Sequence, residues 1–207
     1  FINSVAVGIY HTSSSNEVEW VAGNSESKII FVGNNPNDNQ ENDKMPINRL
    51  LEALPKLNNV ELVVTLPEVT SSGNSKIISW DKFIENGKSI ESSKVLDLPS
   101  KIKDEHTSSL IYTSGTTGNP KGVELVHKNW NFLMDALSTP LTFFPGEKTI
   151  SWLPGAHVFG QALDNHFWVR RAMHSFIVDN PLNTVDFAKE VQPLSLIHIS
   201  EPTRHRG

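Results

Sequence analysis

The sequence predicts an α/β fold in which βαβ units build mostly parallel sheets flanked by helices. Short β-branched runs alternate with segments of helical periodicity, and turn and capping residues separate the two kinds of segment. The chain has 207 residues, of which 38% are hydrophobic and 20% are charged, so it can bury a core of its own. This composition excludes collagen, a coiled coil and wholesale disorder.

The first third of the chain carries the clearest alternation of strand and helix signals. Strands are predicted at residues 5–10, 28–32 and 60–66. Ser14 and Glu17 have the spacing of a capping box, which predicts a helix ending near Gly23. Leucines at helical spacing predict a second helix over residues 47–57, after a polar loop at residues 34–43.

The remainder of the chain continues the alternation with longer polar connections. After a polar loop at residues 71–75, a short helix is predicted at residues 80–87 with Asp81 as its N-cap, and residues 91–109 are predicted to be a polar connection. Further strands are predicted at residues 110–113, 123–127, 149–153 and 175–178. Further helices are predicted at residues 128–137, 156–173 and 184–191.

The charge balance and the lack of cysteine exclude several classes of function. A net charge of −5 without a basic block disfavours binding to the phosphate backbone of a nucleic acid. The absence of cysteine excludes a disulfide scaffold and a thiolate site, and fits a reducing, cytoplasmic location. Because the histidines lack zinc spacing, we expect no protein-held metal. No apolar run approaches the roughly 20 residues that span a bilayer.

The most informative segment is Tyr112–Val123, which reads YTSGTTGNPKGV. Its glycines permit close approach of backbone N–H groups to a ligand, and successive N–H groups in such a turn form an anion-binding concavity. Hydroxyl donors and one lysine add to this set, and a polyphosphate requires these groups. The candidate binding residues are Thr113, Ser114, Gly115, Thr116, Thr117, Gly118 and Lys121. The spacing matches neither the Walker A loop nor the dinucleotide-binding fingerprint.

This segment resembles the phosphate loop of the adenylate-forming, or AMP-binding, superfamily, which includes acyl-CoA ligases, luciferases and peptide synthetase adenylation domains. The run TSGTTGNPKG matches that signature residue for residue. Flanking runs such as VAVGIYHTSSSNEVEW and NPLNTVDFAKEVQP are similar to long-chain fatty-acid–CoA ligases. The resemblance implies that residues 1–193 are part of the large N-terminal domain of such an enzyme.

A second landmark, SWLPGAHVFG at residues 151–160, resembles another segment of the same superfamily. There the residue matching His157 lies near the acyl and adenylate site. On composition alone, a packed or exposed histidine in a helix turn is the simpler interpretation. Beside the phosphate loop, the functional interpretation is favoured. Gly155 departs from the larger residue usual at its position.

The resemblance implies a two-step reaction with ATP, Mg²⁺, a fatty acid and coenzyme A, by way of an acyl-adenylate. Residues 113–121 would hold the β- and γ-phosphates with Mg²⁺, with Thr116, Thr117 and Lys121 as principal contacts, while His157 would line the acyl side. The family's later motifs do not occur before Gln192, so we expect the 207 residues alone to be inactive. Another adenylate-forming ligase and an inactive nucleotide-binding remnant are the alternatives.

Residues 194–204, LSLIHISEPTR, resemble the in-frame translation of a sequencing-library adapter. We therefore expect residues 194–207 to be a non-native tail, and the chain to be a piece of a longer protein. The sequence leaves the oligomeric state open. A fatty-acid substrate would make peripheral membrane contact plausible.

Overall fold

The computed structural model describes residues 3–34, 45–69, 73–113, 118–138, 144–178 and 181–193. The strands are β1 Ala6–Val7, β2 Ile29–Val32, β3 Leu62–Thr65, β4 Ile77–Ser79, β5 Thr107–Thr113, β6 Lys121–Val126, β7 Lys148–Ser151 and β8 His174–Ile177. The α-helices are α1 Ser15–Asn24, α2 Pro46–Ala53, α3 Trp80–Gly87, α4 Ser92–Leu96, α5 His127–Ser138, α6 Val158–Gly160, α7 Trp168–Arg170 and α8 Thr184–Val191.

One sheet is parallel throughout and has the order β2-β3-β4. Helices α1 and α2 pack beside it, and their apolar faces build the largest core cluster of the described residues. The members that are most completely buried are Ala22, Ala53, Leu57, Val60 and Val63. The predicted capping box is confirmed, because the Ser14 hydroxyl accepts from the Glu17 N–H while the Glu17 carboxylate accepts from the Ser14 N–H.

The second sheet has the order β1-β5-β6 and combines both pairings. Strand β1 runs parallel to β5, whereas β5 and β6 form an antiparallel pair. Trp130 of α5 lies against this sheet, where its indole N–H donates to the Ser109 hydroxyl at 3.2 Å. The connection between β5 and β6 is the segment that carries the phosphate-loop motif.

The third sheet is the parallel pair β7-β8, with α8 packed on β7. Ile150, Val178 and Val191 form its small core. The segment before β8 also buries Phe167 and Trp168 against Met134 of α5. The mixed α/β class with mostly parallel strands is therefore confirmed.

Four local predictions were wrong in detail. The helix predicted over residues 156–173 is divided, since a π-helical segment Gln161–Phe167 separates α6 from α7. The N-cap of α3 is Ser79, whose hydroxyl accepts from the Lys82 N–H at 3.2 Å; Asp81 lies inside the first turn. The polar connection at residues 91–109 contains α4, and β4 was not predicted.

Several predicted strands and loops differ in extent from the observed ones. Only Ala6 and Val7 of the first predicted strand pair with β5. The fourth predicted strand is longer, because β5 begins at Thr107. Most of the loop at residues 34–43, part of the loop at 71–75 and the tail at 194–207 lie outside the described residues. Within the described part of the chain, no helix has the length and apolarity needed to cross a membrane.

Candidate functional site

The predicted phosphate loop is the turn of the β5-β6 hairpin. Thr113 and Lys121 are directly opposite each other at the end of the ladder, so the seven residues between them form the loop. Directly opposed side chains lie on the same face of an antiparallel pair, and both of these residues are exposed. The hydroxyl of one and the ammonium of the other therefore flank the base of the loop on one side.

The described part of the loop confirms a conformation that requires glycine. Gly118 has a φ of +106°, a region that other residues rarely adopt, and nothing lies within 4 Å of the position of a Cβ there. Ser114, Gly115, Thr116 and Thr117 fall outside the described residues, so their predicted contacts stay predictions.

Tyr112 fixes the strand end from which the loop departs. Its ring is buried and packs so closely on Gly122 that a Cβ there would meet the ring at 3.0 Å. Its hydroxyl donates to the Asn24 Oδ1 at 2.7 Å. Burial raises the pKa of this phenol, and a hydrogen bond with Ser25 works in the opposite direction. Tyr112 is thus a structural anchor of the loop.

Trp20 of α1 contacts the other end of the loop. Its indole Nε1 donates to the Pro120 carbonyl at 2.8 Å. Nothing in the sequence around Trp20 indicates a functional role for this residue. No local pattern could indicate this contact, because the two residues are 100 positions apart in the chain.

His157 is the N-cap of α6. Its Nδ1 accepts from the Phe159 N–H at 3.2 Å, and the two rings stack with centroids 5.8 Å apart. In the neutral imidazole this leaves the proton on Nε2, which can donate to a ligand oxygen. The turn before His157 is held by Gln161, whose amide donates to the Gly155 carbonyl at 3.1 Å.

A cavity of about 330 Å³ joins the loop to His157. Thr113 and Pro120 contribute to it from the two sides of the hairpin, and His157 contributes from the start of α6. Gly118 and Lys121 are not among its lining residues. The structure therefore brings Thr113 and His157 to one cavity, whereas Lys121 follows the lining residue Pro120 in the chain.

Glu17 adds an acidic side chain to the cavity wall. From the sequence, Glu17 was predicted only to cap α1. Its Oε2 accepts from the Ser14 N–H at 2.7 Å and from the Ser14 hydroxyl at 3.1 Å, so this oxygen faces the start of α1. Among the described residues, no group of three or more histidine and acidic side chains is arranged to hold a metal ion.

Comparison with known proteins gives a consistent family match. A family model described as AMP-binding enzyme matches residues 1–199. The long-chain-fatty-acid–CoA ligase ACSBG2 of Xenopus laevis is 31% identical over 168 residues, which are 79% of this chain and 22% of that protein. The long-chain-fatty-acid–CoA ligase FadD15 of Mycobacterium bovis is 27% identical over 98% of this chain and 30% of its own length.

Solved structures agree with this match at the level of the fold. An anthranilate CoA ligase, AuaEII, in complex with anthranoyl-AMP has a TM-score of 0.68 at 18% identity, over 91% of this chain and 34% of that one. A fatty acyl CoA synthetase of Mycobacterium tuberculosis has a TM-score of 0.60 at 19% identity, over 85% and 30% of the two chains. The chain thus spans about a third or less of each of these proteins.

Proposed function

This chain belongs to the AMP-binding enzyme family, and from that premise we propose that it is the phosphate-binding part of an ATP-dependent long-chain fatty acid–CoA ligase. The observation that carries the proposal is the cavity on which Thr113, Pro120 and His157 meet. It joins the two ends of the phosphate loop to the segment expected to lie beside the acyl group. The identities of about 30% to long-chain ligases favour this substrate class.

The proposed reaction has two steps. A fatty carboxylate oxygen attacks the α-phosphorus of ATP, the bond from that phosphorus to the bridging oxygen breaks, and pyrophosphate leaves. The thiolate of coenzyme A then attacks the acyl carbon of the adenylate, and AMP leaves. Since charge develops on the departing pyrophosphate in the first step, positioned donors and a cation at the loop stabilise that step.

The residues of the loop have distinct proposed roles. The Thr113 hydroxyl and the Lys121 ammonium bind phosphate oxygens from the two arms of the hairpin, while backbone N–H groups of residues 114–118 supply further donors. Gly118 permits the backbone to turn at that point. Mg²⁺ would enter with ATP, held mainly by phosphate oxygens and water, as is usual for this ion in nucleotide sites.

His157 is proposed to act on the acyl side. Its Nδ1 is occupied by the cap of α6, so the Nε2 proton is the group that it can offer to a carboxylate or adenylate oxygen. A side chain held by capping and stacking loses little freedom when it binds, because its rotamer is already fixed.

We propose a cytoplasmic location, with peripheral membrane contact where the fatty acid is delivered.

A second candidate is an adenylate-forming ligase for another acid. The fold likeness to an anthranilate CoA ligase supports this alternative. The two candidates share the phosphate loop and differ in the pocket for the acid, so carboxylate preference distinguishes them.

Carboxylate-dependent ATP–pyrophosphate exchange tests both candidates. A polypeptide of full family length that carries this sequence should exchange label with palmitate and not with anthranilate. Exchange with anthranilate alone would favour the second candidate, and no exchange with any acid would refute ligase activity. The 207 residues alone should show no exchange; exchange by them would overturn our expectation that they are inactive.

A further inference from the structure

Helix α1 contacts both ends of the phosphate loop through two side chains that are one turn apart. Trp20 donates to the Pro120 carbonyl at 2.8 Å, and Asn24 accepts from the Tyr112 hydroxyl at 2.7 Å. We propose that Trp20 and Asn24, the loop-anchoring pair, are positioning residues that set the separation between the two ends of the loop. This inference rests on the proposed function, because it assumes that the loop binds the phosphates of ATP.

The spacing of the pair explains how one helix can hold two strand ends. Side chains at i and i+4 lie on the same face of a helix, so Trp20 and Asn24 point toward the same hairpin. Tyr112 is the residue before the last pair of the β5-β6 ladder, and Pro120 is the last residue of the loop. The two hydrogen bonds therefore enclose the segment from both sides.

Helix α1 is itself a fixed support. Val18 and Ala22 are buried in the largest core cluster on its opposite face, with Ala22 fully inaccessible. The capping box defines the first turn of α1, and its middle is tied to the neighbouring segment by the ion pair between Lys56 and Glu19 at 2.7 Å. Because the helix cannot move without disturbing this core, a side chain hydrogen-bonded from it holds its partner in place.

Pro120 offers helix α1 a single backbone hydrogen-bonding group. Proline has no backbone N–H, so it cannot donate to the strand ladder, and its carbonyl is its only backbone hydrogen-bonding group. Trp20 supplies the donor for that carbonyl. Trp20 is 38% exposed, so its ring is only partly buried. The hydrogen bond therefore holds Pro120 in addition to any packing of the ring.

The partner at Tyr112 is held by sterics as well as by its hydrogen bond. The Tyr112 ring packs directly over Gly122, which is its partner in the ladder. The Asn24 amide then fixes the position of the hydroxyl at the far end of the ring. The Tyr112 side chain thus fixes the positions of both strands of the hairpin relative to α1.

The same helix also reaches the cavity. Glu17 and Val21 line it, one turn apart and adjacent to the loop-anchoring pair. A shift of the hairpin relative to α1 would therefore change both the loop and the cavity wall. Misplacement of binding groups by about 1 Å is enough to lose much of their effect on a reacting group.

Two conservative variants of the 207-residue chain test the pair. Trp20→Phe removes the indole donor and keeps an aromatic ring, and Tyr112→Phe removes the hydroxyl at nearly constant volume. Trp80→Phe is the matched control, because Trp80 packs on Phe31 and Phe83, remote from the hairpin. Asn24→Asp retains an acceptor oxygen for Tyr112, whereas Asn24→Ala does not.

The first readout is amide hydrogen exchange in residues 118–122, with no nucleotide present. Trp20→Phe, Tyr112→Phe and Asn24→Ala should accelerate exchange in this segment about three- to tenfold, the loss expected for one hydrogen bond. Asn24→Asp should restore slow exchange, and Trp80→Phe should leave it unchanged. Equal exchange in wild type and Trp20→Phe would overturn the anchoring role of Trp20.

The second readout is the affinity for ATP with Mg²⁺, measured by calorimetry on a polypeptide of full family length that carries this sequence. Wild type should bind ATP, and Trp20→Phe should weaken binding about three- to tenfold without a comparable change in melting temperature. A wild-type chain that does not bind ATP would refute the proposed phosphate site, whatever the exchange data show. Equal ATP affinity in wild type and Trp20→Phe would overturn the positioning role alone.

Discussion

Gly8 and Ala156 lie in direct backbone contact: a Cβ on Gly8 would be 2.5 Å from the Ala156 Cα and 3.0 Å from its Cβ. Gly8 follows β1, whose residue Val7 pairs with Leu110 of β5. Ala156 precedes His157. The contact therefore holds the turn before His157 against the sheet that carries the phosphate loop. In this way Thr113 and His157, which are far apart in the chain, come to line one cavity.

We predict that Gly8→Ala destabilises the chain by about 1–3 kcal/mol, the usual cost of forcing extra volume into a packed site. The nearest atom in the way is the Cα of Ala156, and the alanine side chain is a single methyl group, so no flexible side chain can move aside. Urea unfolding followed by fluorescence measures the loss. Gly155→Ala is the matched control, because nothing lies within 4 Å of a Cβ there, and it should leave the unfolding midpoint unchanged. Equal midpoints for wild type and Gly8→Ala would contradict the contact.

The capping role of His157 can be separated from its proposed role at the acyl side. His157→Ala removes the acceptor for the Phe159 N–H and should destabilise the chain by about 1 kcal/mol. His157→Asn keeps a capping oxygen and should recover most of that stability. If His157 also contacts the acyl group, both variants should lower palmitate-dependent exchange in the full-length protein. Full activity in His157→Asn would assign the residue a capping role only.

Local patterns in the sequence predicted the elements whose stabilising contacts are themselves local. The Ser14–Glu17 capping box is one case, because all its hydrogen bonds join residues three apart. The N-cap at Asp81 was wrong since Ser79 is an equally good capping residue, and the end of β4 decides between them. Periodicity alone cannot make that choice.

Contacts distant in sequence account for what the sequence could not predict. The helix predicted over residues 156–173 contains a π-helical segment, in which Asp164 accepts from the Ser151 hydroxyl of β7 at 2.7 Å. This tertiary contact leaves no trace in the helical period. Thr113 and His157 were identified by motif, but only the structure shows that both line one cavity.

Lys121 should contribute to ATP binding and little to stability. Its side chain is exposed at the base of the loop, so Lys121→Ala should leave the unfolding midpoint unchanged. Loss of a charged hydrogen bond to phosphate should weaken ATP binding by roughly ten- to hundredfold, with fatty-acid binding much less affected. Lys148→Ala, an exposed lysine on β7, is the charge-matched control for calorimetry. Equal losses of ATP and fatty-acid affinity would count against a phosphate role.

His166 should make stability depend on pH near neutrality. Its ring stacks on Trp130 with centroids 4.5 Å apart, and burial, followed by the charge of His127, lowers its pKa below the usual 6.5. The unfolded chain then takes up this proton more readily than the folded one. The stability contribution is therefore complete above pH 6.5 and declines as the pH falls from there through the lowered value.

His166→Phe keeps a stacking ring and cannot titrate, so urea midpoints measured from pH 7.5 to 5 (about 25 °C) should fall less steeply than in wild type. His11→Gln, which changes an exposed histidine, is the control for loss of a histidine as such. Identical slopes for wild type and His166→Phe would refute the assignment.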